Sequence, residues 1–548
     1  MARRPVAIVT VLLVVASFGW RCGSSTTTTP TTSATGTLFT FISDTPICDV
    51  LAVRMNVLGL TLGVSNTSIG ATLLSSLNTV IGVDWAALRS SGTELAFNSS
   101  VTANIYDTLT IHLEGQSTYF YDSTKNPPIN SVAESFTTGS ALPIFNITPP
   151  LSITNGSVSA ISFDFDLEHA LQEDSQGHLT GTVTPTATVT PLTASPSGGF
   201  GNLDGLDGFI ESVKTSGFQT SSATFTGGVT LQLLAGTVTG GPSASVDFTS
   251  DTAICGPMTF SNEPCCPAAQ ISNPACANLT QPALNTILTD SYAWVDGFVD
   301  SNGNLNASII DIGPQDNPSS IATGTGEPAN TAAFIGPILS LTRDSGGNVT
   351  GFTMFLREAQ PPVSGLALDT AAQVTLSPQT IYETSPPVIY TVASPTIPQG
   401  TNFAALPYGV PQIAVGEDVL VNGVYTTSST AIPPTVAAAE VDLRLQTHEG
   451  NLVALVASQP DNHTGAFTLY PCASMLQLND TSAIPIYVFT NSATSFVNTN
   501  GLTGLRQQPR TLVKGLLFYE PASVTINGVT VPPGTLVMLA KQVRQLTT

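Results

Sequence analysis

Short runs in which apolar and polar residues alternate recur along almost the whole chain. Residues 38–42 (LFTFI) and 108–113 (TLTIHL) show the two-residue period of a strand with one buried face. Residues 50–62 (VLAVRMNVLGLTL) form a longer run of branched apolar residues, which also favours a strand. A helical period is present only weakly, around residues 69–81. Turn-forming sequences such as residues 300–304 (DSNGN) separate the later runs, so the pattern predicts many strands joined by tight turns.

The composition supports a mainly β fold. Of the 548 residues, 42% are apolar and only 9% are charged, against about 25% charged residues in an ordinary globular protein. The chain also contains 46 glycines and 39 prolines, which interrupt helices and favour turns. This length exceeds that of one ordinary domain, so several domains are expected. We predict an N-terminal β-sandwich that is followed by tandem small β-barrel-like modules.

The charge balance limits the kind of partner. There are 15 basic and 37 acidic residues, which gives a net charge of −22. A protein that binds nucleic acid needs a basic surface to neutralise the phosphates, and the sequence contains no such cluster. No nucleic-acid partner is therefore expected.

The first residues predict export from the cytoplasm. Arg3 and Arg4 precede an apolar run at residues 6–19, which is too short to span a membrane as a helix but suits a signal peptide. We assign residues 1–21 to this signal peptide. The Ser/Thr-rich residues 22–36 are assigned to a polar tether.

A cysteine stands at the start of that tether. An apolar run, a cysteine and a polar linker in this order resemble the start of a bacterial lipoprotein, which implies that Cys22 carries a lipid and anchors the protein to the outer membrane or cell surface. Arg21 departs from the small residues that usually precede such a cysteine. The alternatives are cleavage after Gly19 with secretion without a lipid, and retention of the apolar run as an uncleaved anchor.

Residues 37–190 are predicted to form the β-sandwich. The opening strand ends in residues 43–46 (SDTP), and the segments VDW (83–85), YDTLTI (106–111) and FDFDLE (163–168) follow it. In this order and spacing the series resembles the bacterial domain of unknown function 4382, a family of envelope lipoproteins. The resemblance implies a β-sandwich and no assigned activity.

A linker rich in Gly, Ser and Pro is assigned to residues 191–207, and three segments with a shared plan follow it. Each segment contains a strand of the form hydrophobic-x-Gly-hydrophobic, with Gly297, Gly423 or Gly515 at its centre, and then a last alternating strand. The segment with Gly423 resembles the small β-barrel domain of unknown function 5666, which often follows the first family in envelope proteins. The modules are assigned to residues 208–330, 331–446 and 447–548.

The first of these modules contains a loop with four cysteines in the spacing C-x9-C-C-x9-C, namely Cys255, Cys265, Cys266 and Cys276. A bond between the two adjacent cysteines would be strained, so we expect each of them to pair outward, with Cys255 or Cys276. Free thiols and a metal site are the alternatives, although the close cysteine pairs of structural zinc sites are absent. Cys48 and Cys472 are too far apart in the sequence for a pairing to be assigned.

Three acidic residues alternate along one predicted strand. Asp164, Asp166 and Glu168 would share one face, with their carboxylates about 7 Å apart. Such a row of oxygen ligands can contribute to a Ca²⁺ site, but one strand supplies too few ligands by itself. A solvated strand face is the alternative.

The chain carries no catalytic signature, since it lacks a G-x-S-x-G elbow, an H-E-x-x-H pair and a phosphate-binding loop. Tyr292, Trp294 and Phe298 could form an exposed platform for sugars, although core packing is the commoner fate of aromatic residues. We expect a non-catalytic extracytoplasmic envelope protein with a binding, adhesion or scaffolding role towards a surface partner that the sequence does not identify, and without a required cofactor. A carbohydrate- or Ca²⁺-binding surface protein is the alternative, and a hydrolase is a third.

Overall fold

The structure is a computed structural model. It describes residues 34–45, 47–75, 81–89, 93–137, 142–175, 178–192, 200–214, 227–233, 243–255, 265–268, 291–300, 302, 304–315, 331–360, 365–385, 406, 408–426, 434–476, 485–492 and 494–546. Within these residues the helices are limited to α1 (Leu167–Ala170) and to 3₁₀ turns at Trp85–Arg89, Val410–Gln412, Ser474–Leu476 and Leu502–Gly504. None of these helices has the length and apolar character that crossing a membrane requires.

The first unit contains thirteen strands within the described residues. They are β1 (Thr35–Thr45), β2 (Val50–Gly63), β3 (Gly70–Ser75), β4 (Ile81–Asp84), β5 (Thr93–Thr102), β6 (Asn104–Tyr121), β7 (Ile129–Ala133), β8 (Ser135–Phe136), β9 (Ile144–Ile153), β10 (Val158–Asp166), β11 (Leu171–Glu173), β12 (Leu179–Val183) and β13 (Ala187–Pro191). The main sheet has the order β3-β2-β6-β9-β13-β10-β1-β5, with β4 and β7 beside β2 and β6. Strands β11, β12 and β8 form a small separate sheet.

The main sheet folds over one apolar core. Its two halves, β3-β2-β6-β9 and β13-β10-β1-β5, are joined by the single residue pair Val189 and Ile147. Leu38 and Phe163 from one half and Ile111 from the other lie in the same buried cluster. The two halves therefore act as two packed layers.

The weak helical period at residues 69–81 is a wrong prediction where the structure describes it. Strands β3 and β4 occupy the described part of this segment, and both pair with β2. Sheet pairing with a neighbouring strand outweighs a weak local helical preference, because tertiary contacts routinely override propensity.

Three smaller units follow, each built on its own sheet. The first contains β14 (Phe200–Lys214), β15 (Gly228–Leu233), β16 (Ser243–Cys255), β17 (Cys265–Pro267), β18 (Ser291–Val299) and β19 (Leu305–Gln315). The second contains β20 (Thr331–Arg343), β21 (Val349–Leu356), β22 (Glu358–Gln360), β23 (Thr370–Thr375), β24 (Ile381–Ser385), β25 (Asp418–Thr426) and β26 (Thr435–Arg444). The third contains β27 (Gln446–Ser458), β28 (Gly465–Pro471), β29 (Ile486–Thr490), β30 (Ser495–Val497), β31 (Thr511–Glu520), β32 (Val524–Ile526), β33 (Val529–Val531) and β34 (Thr535–Gln545).

Each of these units closes into a five-stranded barrel. The closed orders are β14-β15-β16-β19-β18, β20-β21-β23-β26-β25 and β27-β28-β29-β34-β31, and in each the last strand pairs back with the first. Numbered within a barrel, the order is 1-2-3-5-4-1, and strand three runs parallel to strand five. This is the connectivity of the OB-type Greek-key barrel, a fold that serves many functions. The mainly β class with tandem β modules is thus confirmed.

The three glycines that anchored the repeated pattern occupy one equivalent position. Gly297, Gly423 and Gly515 lie on strand four, each directly after a β-bulge in its pairing with strand five. A Cβ atom at any of them would overlap the carbonyl oxygen of a strand-five residue, namely Asn306, Ala437 or Leu539. Glycine is needed here because two backbones approach closely at the bulge.

A second set of equivalent positions confirms that the barrels share one plan. Strand one of each barrel carries a glycine, and 44 residues after it stands a threonine that donates to the carbonyl of an alanine on strand five. That alanine lies opposite the bulge glycine in every barrel. The three sets are Gly208, Thr252 and Ala307; Gly336, Thr380 and Ala438; and Gly450, Thr494 and Ala540.

The segment assigned as a linker is shorter than predicted. Strand β14 begins at Phe200, and its residues up to Asp207 pair with β18. The assignment of residues 200–207 to a linker is therefore wrong, because their Gly-rich sequence is accommodated in a strand with two irregular steps in its register.

Candidate functional site

The most distinctive chemistry of the described residues lies where the sandwich, the first barrel and the second barrel meet. Arg54, Arg357 and Arg444 have exposed fractions of 6%, 2% and 8%, although arginine is rarely buried. Arg54 comes from β2 of the sandwich, whereas Arg357 and Arg444 come from the second barrel. Buried guanidinium groups need anionic partners, and each of these groups has them in a neighbouring unit.

Arg54 joins the sandwich to the second barrel. Its guanidinium donates to Asp369 Oδ1 at 2.6 Å and to the carbonyl oxygen of Arg357 at 2.6 Å. The fully buried carboxylate of Asp84 lies 3.7 Å from Arg54 and 3.9 Å from Arg357. Asp84 is itself held by the backbone N–H of Val53, at 2.9 Å.

The same cluster continues into the first barrel. Arg357 donates to Asp418 Oδ2 at 2.6 Å, and Arg444 lies 3.8 Å from the other oxygen of that carboxylate. Arg444 also donates to Asp207 and, at 3.0 Å, to the hydroxyl of Tyr292, and its guanidinium lies 5.1 Å from the centre of the Tyr292 ring. Asp207 and Tyr292 belong to β14 and β18, so the charges cross the boundary between two barrels.

Burial and charge oppose each other in this cluster. Burial works against the charge on Arg54, but the carboxylates of Asp84 and Asp369 outweigh that effect, so the pKa of Arg54 is raised. Burial raises the pKa of Glu358, which lies beside Arg357, to about 7. We call this set the junction cluster; it consists of Arg54, Asp84, Asp207, Tyr292, Arg357, Glu358, Asp369, Asp418 and Arg444.

A second seam joins the sandwich to the third barrel. Cys48 and Cys472 form a disulfide across a sequence separation of 424 residues. Next to it, Asp49 Oδ1 accepts from the backbone N–H and the hydroxyl of Ser474, at 2.7 and 2.8 Å. The sequence assigned these two cysteines no partner, and the structure corrects this: packing of the first unit on the last brings them together.

The predicted calcium ligands lie on this same seam. Strand β10 ends at Asp166 rather than at Glu168, because α1 begins at Leu167 and Asp166 caps it. Asp164 accepts from the Ser43 hydroxyl at 3.1 Å, and Asp166 Oδ2 lies 2.7 Å from Nδ1 of His169.

Two arginines of the third barrel approach these carboxylates. Arg544 lies 3.7 Å from Asp164, and Arg510 lies 3.1 Å from Glu168. Arg510 also pairs with Glu449 at 2.5 Å. The acidic row therefore serves as a docking face for the third barrel.

Among the described residues, only Cys48, Glu449 and Cys472 bring three potential metal-ligating atoms within 4.8 Å of one another. Both sulfurs of that group are joined in the disulfide, which leaves no thiolate to bind a metal.

Two of the aromatic residues that could have formed a sugar platform lie at contacts between barrels, Tyr292 against Arg444 of the second barrel and Trp294 against Lys541 of the third. Tyr292 and Trp294 are buried, with exposed fractions of 1% and 4%. The ammonium of Lys541 lies 3.5 Å from the centre of a Trp294 ring and 2.6 Å from Asp296 Oδ2. Trp294 therefore packs against a cation of the next unit and does not face solvent.

The cysteine-rich loop is described only in part. Cys255 is fully buried and disulfide-bonded, and its backbone pairs with that of Cys265. The side chains of Cys265 and Cys266, and the whole of Cys276, lie outside the described residues, as does the lipidation candidate Cys22.

One surface cavity of about 430 Å³ lies on the third barrel. Its wall includes Asn498, Asn500, Arg506 and Gln545. Amide and guanidinium groups of this kind can form hydrogen bonds with hydroxyl and carboxylate groups of a small ligand.

No family model, no curated protein and no solved structure matches this chain. The function therefore rests on the site itself.

The sequence analysis did not predict the junction cluster, although a signal was present. In a chain with few basic residues, Arg54 and Arg444 interrupt apolar strand sequences, VLAVRMNVL and VDLRLQ.

Proposed function

We propose that the protein is a non-catalytic component of the cell envelope, anchored outside the cytoplasm through Cys22, in which four β units form one rigid scaffold for binding or adhesion. The observation that carries the proposal is the junction cluster, where Arg54, Arg357 and Arg444 join units that would otherwise be separate modules. These charged groups are buried between units and do not line an open cleft.

Buried ion pairs favour one relative arrangement of the units. Removing one partner of such a pair leaves an uncompensated buried charge, which costs about 3–5 kcal/mol. A tethered protein that must hold surfaces at fixed positions benefits from such rigid contacts, whereas independent modules on flexible linkers do not need them.

Two observations support the compartment. The N-terminal apolar run and Cys22 resemble a lipoprotein leader. The Cys48–Cys472 disulfide suits an oxidising environment, since stable disulfides are rare in the reducing cytosol.

The proposal is tested by mass spectrometry of the mature N-terminus together with cell fractionation. We expect a chain that begins at an acylated Cys22 and is found in the membrane fraction, and a Cys22→Ser variant that is released from the membrane. Brief protease treatment of intact cells should remove the protein if it is displayed at the surface. A soluble intracellular chain that retains residues 1–21 would refute the proposal.

The cavity on the third barrel favours carbohydrate binding as a second candidate function. Asn500 and Arg506 on its wall are suited to an acidic sugar. Isothermal titration with a uronic acid should show binding that Arg506→Ala abolishes and that Arg343→Ala, a change at an exposed arginine of the second barrel, leaves intact. Absence of heat in the unaltered protein would eliminate this function. The calcium alternative has no comparable support among the described residues.

A further inference from the structure

Several large apolar side chains are exposed together on the first hairpin of the third barrel. Val453, Leu455 and Val456 on β27 and Tyr470 on β28 each have exposed fractions of 43–45%. Exposed apolar residues that are scattered singly need no explanation, but a cluster usually marks an interaction surface.

The same part of β27 is a free sheet edge within the described residues. Strand β27 pairs with β31 only over residues 446–450, whereas its pairing with β28 continues to Ser458. Residues 451–458 therefore present one edge without a strand partner. Two β-bulges in the pairing with β28 leave Val453 and Val456 as extra residues, which is a common way of redirecting side chains at an edge.

The equivalent position in the second barrel is an interface. Leu339 and Val453 both follow the strand-one glycine by three residues, and both are the extra residue of a bulge. Leu339 is 1% exposed and lies in one apolar cluster with Leu51 of the sandwich and Leu476 of the third barrel. This position is thus used to dock a neighbouring β unit in the second barrel, and in the last barrel it is open.

The charge of the hairpin identifies the partner. Residues 451–471 contain one charged side chain, Asp461, although the whole chain has a net charge of −22. Such a surface offers a charged ligand almost no side chain with which to form an ion pair. Two copies of this acidic chain, however, can approach here without bringing their carboxylates together.

We propose that residues 451–458 of β27 bind the same residues of a second copy of the chain, as antiparallel strands related by a twofold axis. The free edges supply the main-chain hydrogen bonds between the two copies. The exposed apolar side chains of one copy pack against the same side chains of the other, namely Val453, Leu455, Val456 and Tyr470. A twofold interface uses the same patch on both subunits, which an uncharged and apolar edge allows.

Sedimentation velocity of the full mature chain, carried out over a concentration series, tests this proposal. We expect a reversible dimer, and we expect Leu455→Lys to weaken dimerisation at least tenfold because two ammonium groups would meet near the axis. Ile144→Lys, at an exposed apolar residue of the sandwich, is the matched control and should leave the dimer unchanged. Circular dichroism should show that both variants are folded, since both sites are exposed.

Three results would overturn the proposal. A chain that is monomeric throughout the series lacks the interface, and a Leu455→Lys variant that dimerises normally places the interface elsewhere. Binding of a monomer to phosphatidylcholine vesicles, with loss of this binding in Leu455→Lys, would show that the patch contacts a membrane instead.

Discussion

Arg444, at the end of the second barrel, donates a hydrogen bond to Asp207 of the first barrel, 237 residues earlier in the chain. Both side chains are buried, and Tyr292 completes the contact by accepting from Arg444 and donating to Asp207 at 3.3 Å. A cation of one unit is thus enclosed by the acceptors of another. The contact offsets the cost of burying both charged groups, because a buried charge without a partner is strongly unfavourable.

This contact predicts a large effect of removing one partner. Arg444→Met leaves Asp207 buried without its cation and should lower the free energy of unfolding by about 3–5 kcal/mol. Urea unfolding followed by tryptophan fluorescence measures the change. Arg343→Met, at an exposed arginine, is the control and should change stability by less than about 0.5 kcal/mol. The double change Arg444→Met with Asp207→Leu should recover much of the loss; if it does not, charge is not the reason for the effect.

Glu358 predicts a pH dependence. Burial raises its pKa in the folded protein to about 7 from an ordinary value of 4.5, so between these pH values the folded state holds a proton that the unfolded state has lost. Stability from this group is therefore present at low pH and falls as the pH rises from 4.5 to 7, by up to about 3 kcal/mol. Unfolding free energies of Glu358→Gln should decline less over this range than those of the unaltered protein. Glu211→Gln, at an exposed glutamate, should follow the unaltered protein, and equal slopes in all three would contradict the prediction.

The Cys48–Cys472 disulfide predicts a coupled loss at the seam between the sandwich and the third barrel. Cys472→Ser should lower the free energy of unfolding by about 2–5 kcal/mol, because the unfolded chain is no longer constrained by the cross-link. Cys48→Ser should have the same effect, and the double variant should be no less stable than either single one. Thermal unfolding under oxidising conditions measures all three. Additive losses in the double variant would mean that the two cysteines act separately.

Adding one methyl group at a bulge glycine should lower the stability of the fold, whereas the same change at an open glycine should not. Gly423→Ala places a Cβ 2.5 Å from the carbonyl oxygen of Ala437, so the two strands must separate, which should cost about 1–3 kcal/mol. Gly515→Ala should behave alike, since it occupies the same position in the third barrel. Gly409→Ala is the control, because its added Cβ would meet no atom of the described residues closer than 3.6 Å. Chemical denaturation compares the three variants, and an unaffected Gly423→Ala would show that the bulge is not tightly packed.

Local patterns were sufficient for the class of fold. The alternation at residues 108–113 and the branched run at residues 50–62 both lie in strands, and Asp300 closes its predicted turn by accepting from the backbone N–H groups of Asn302 and Asn304. The weak helical pattern at residues 69–81 failed, because pairing with β2 decided that segment. The repeated glycine was visible in the sequence, but its reason, the close approach of two backbones at a bulge, became clear only in the barrel.

The sequence by itself determined a β-rich chain with turns between short strands, since the period of side chains and the placement of glycine depend on neighbours a few residues apart. The tertiary structure alone decided that Cys48 meets Cys472, that Arg54 meets Asp369, and that the acidic row of β10 faces arginines of the third barrel. These partners are hundreds of residues apart, and no periodicity along the chain encodes them. They are brought together by the packing of whole units, and the cost of burying an unpaired charge then makes their positions specific.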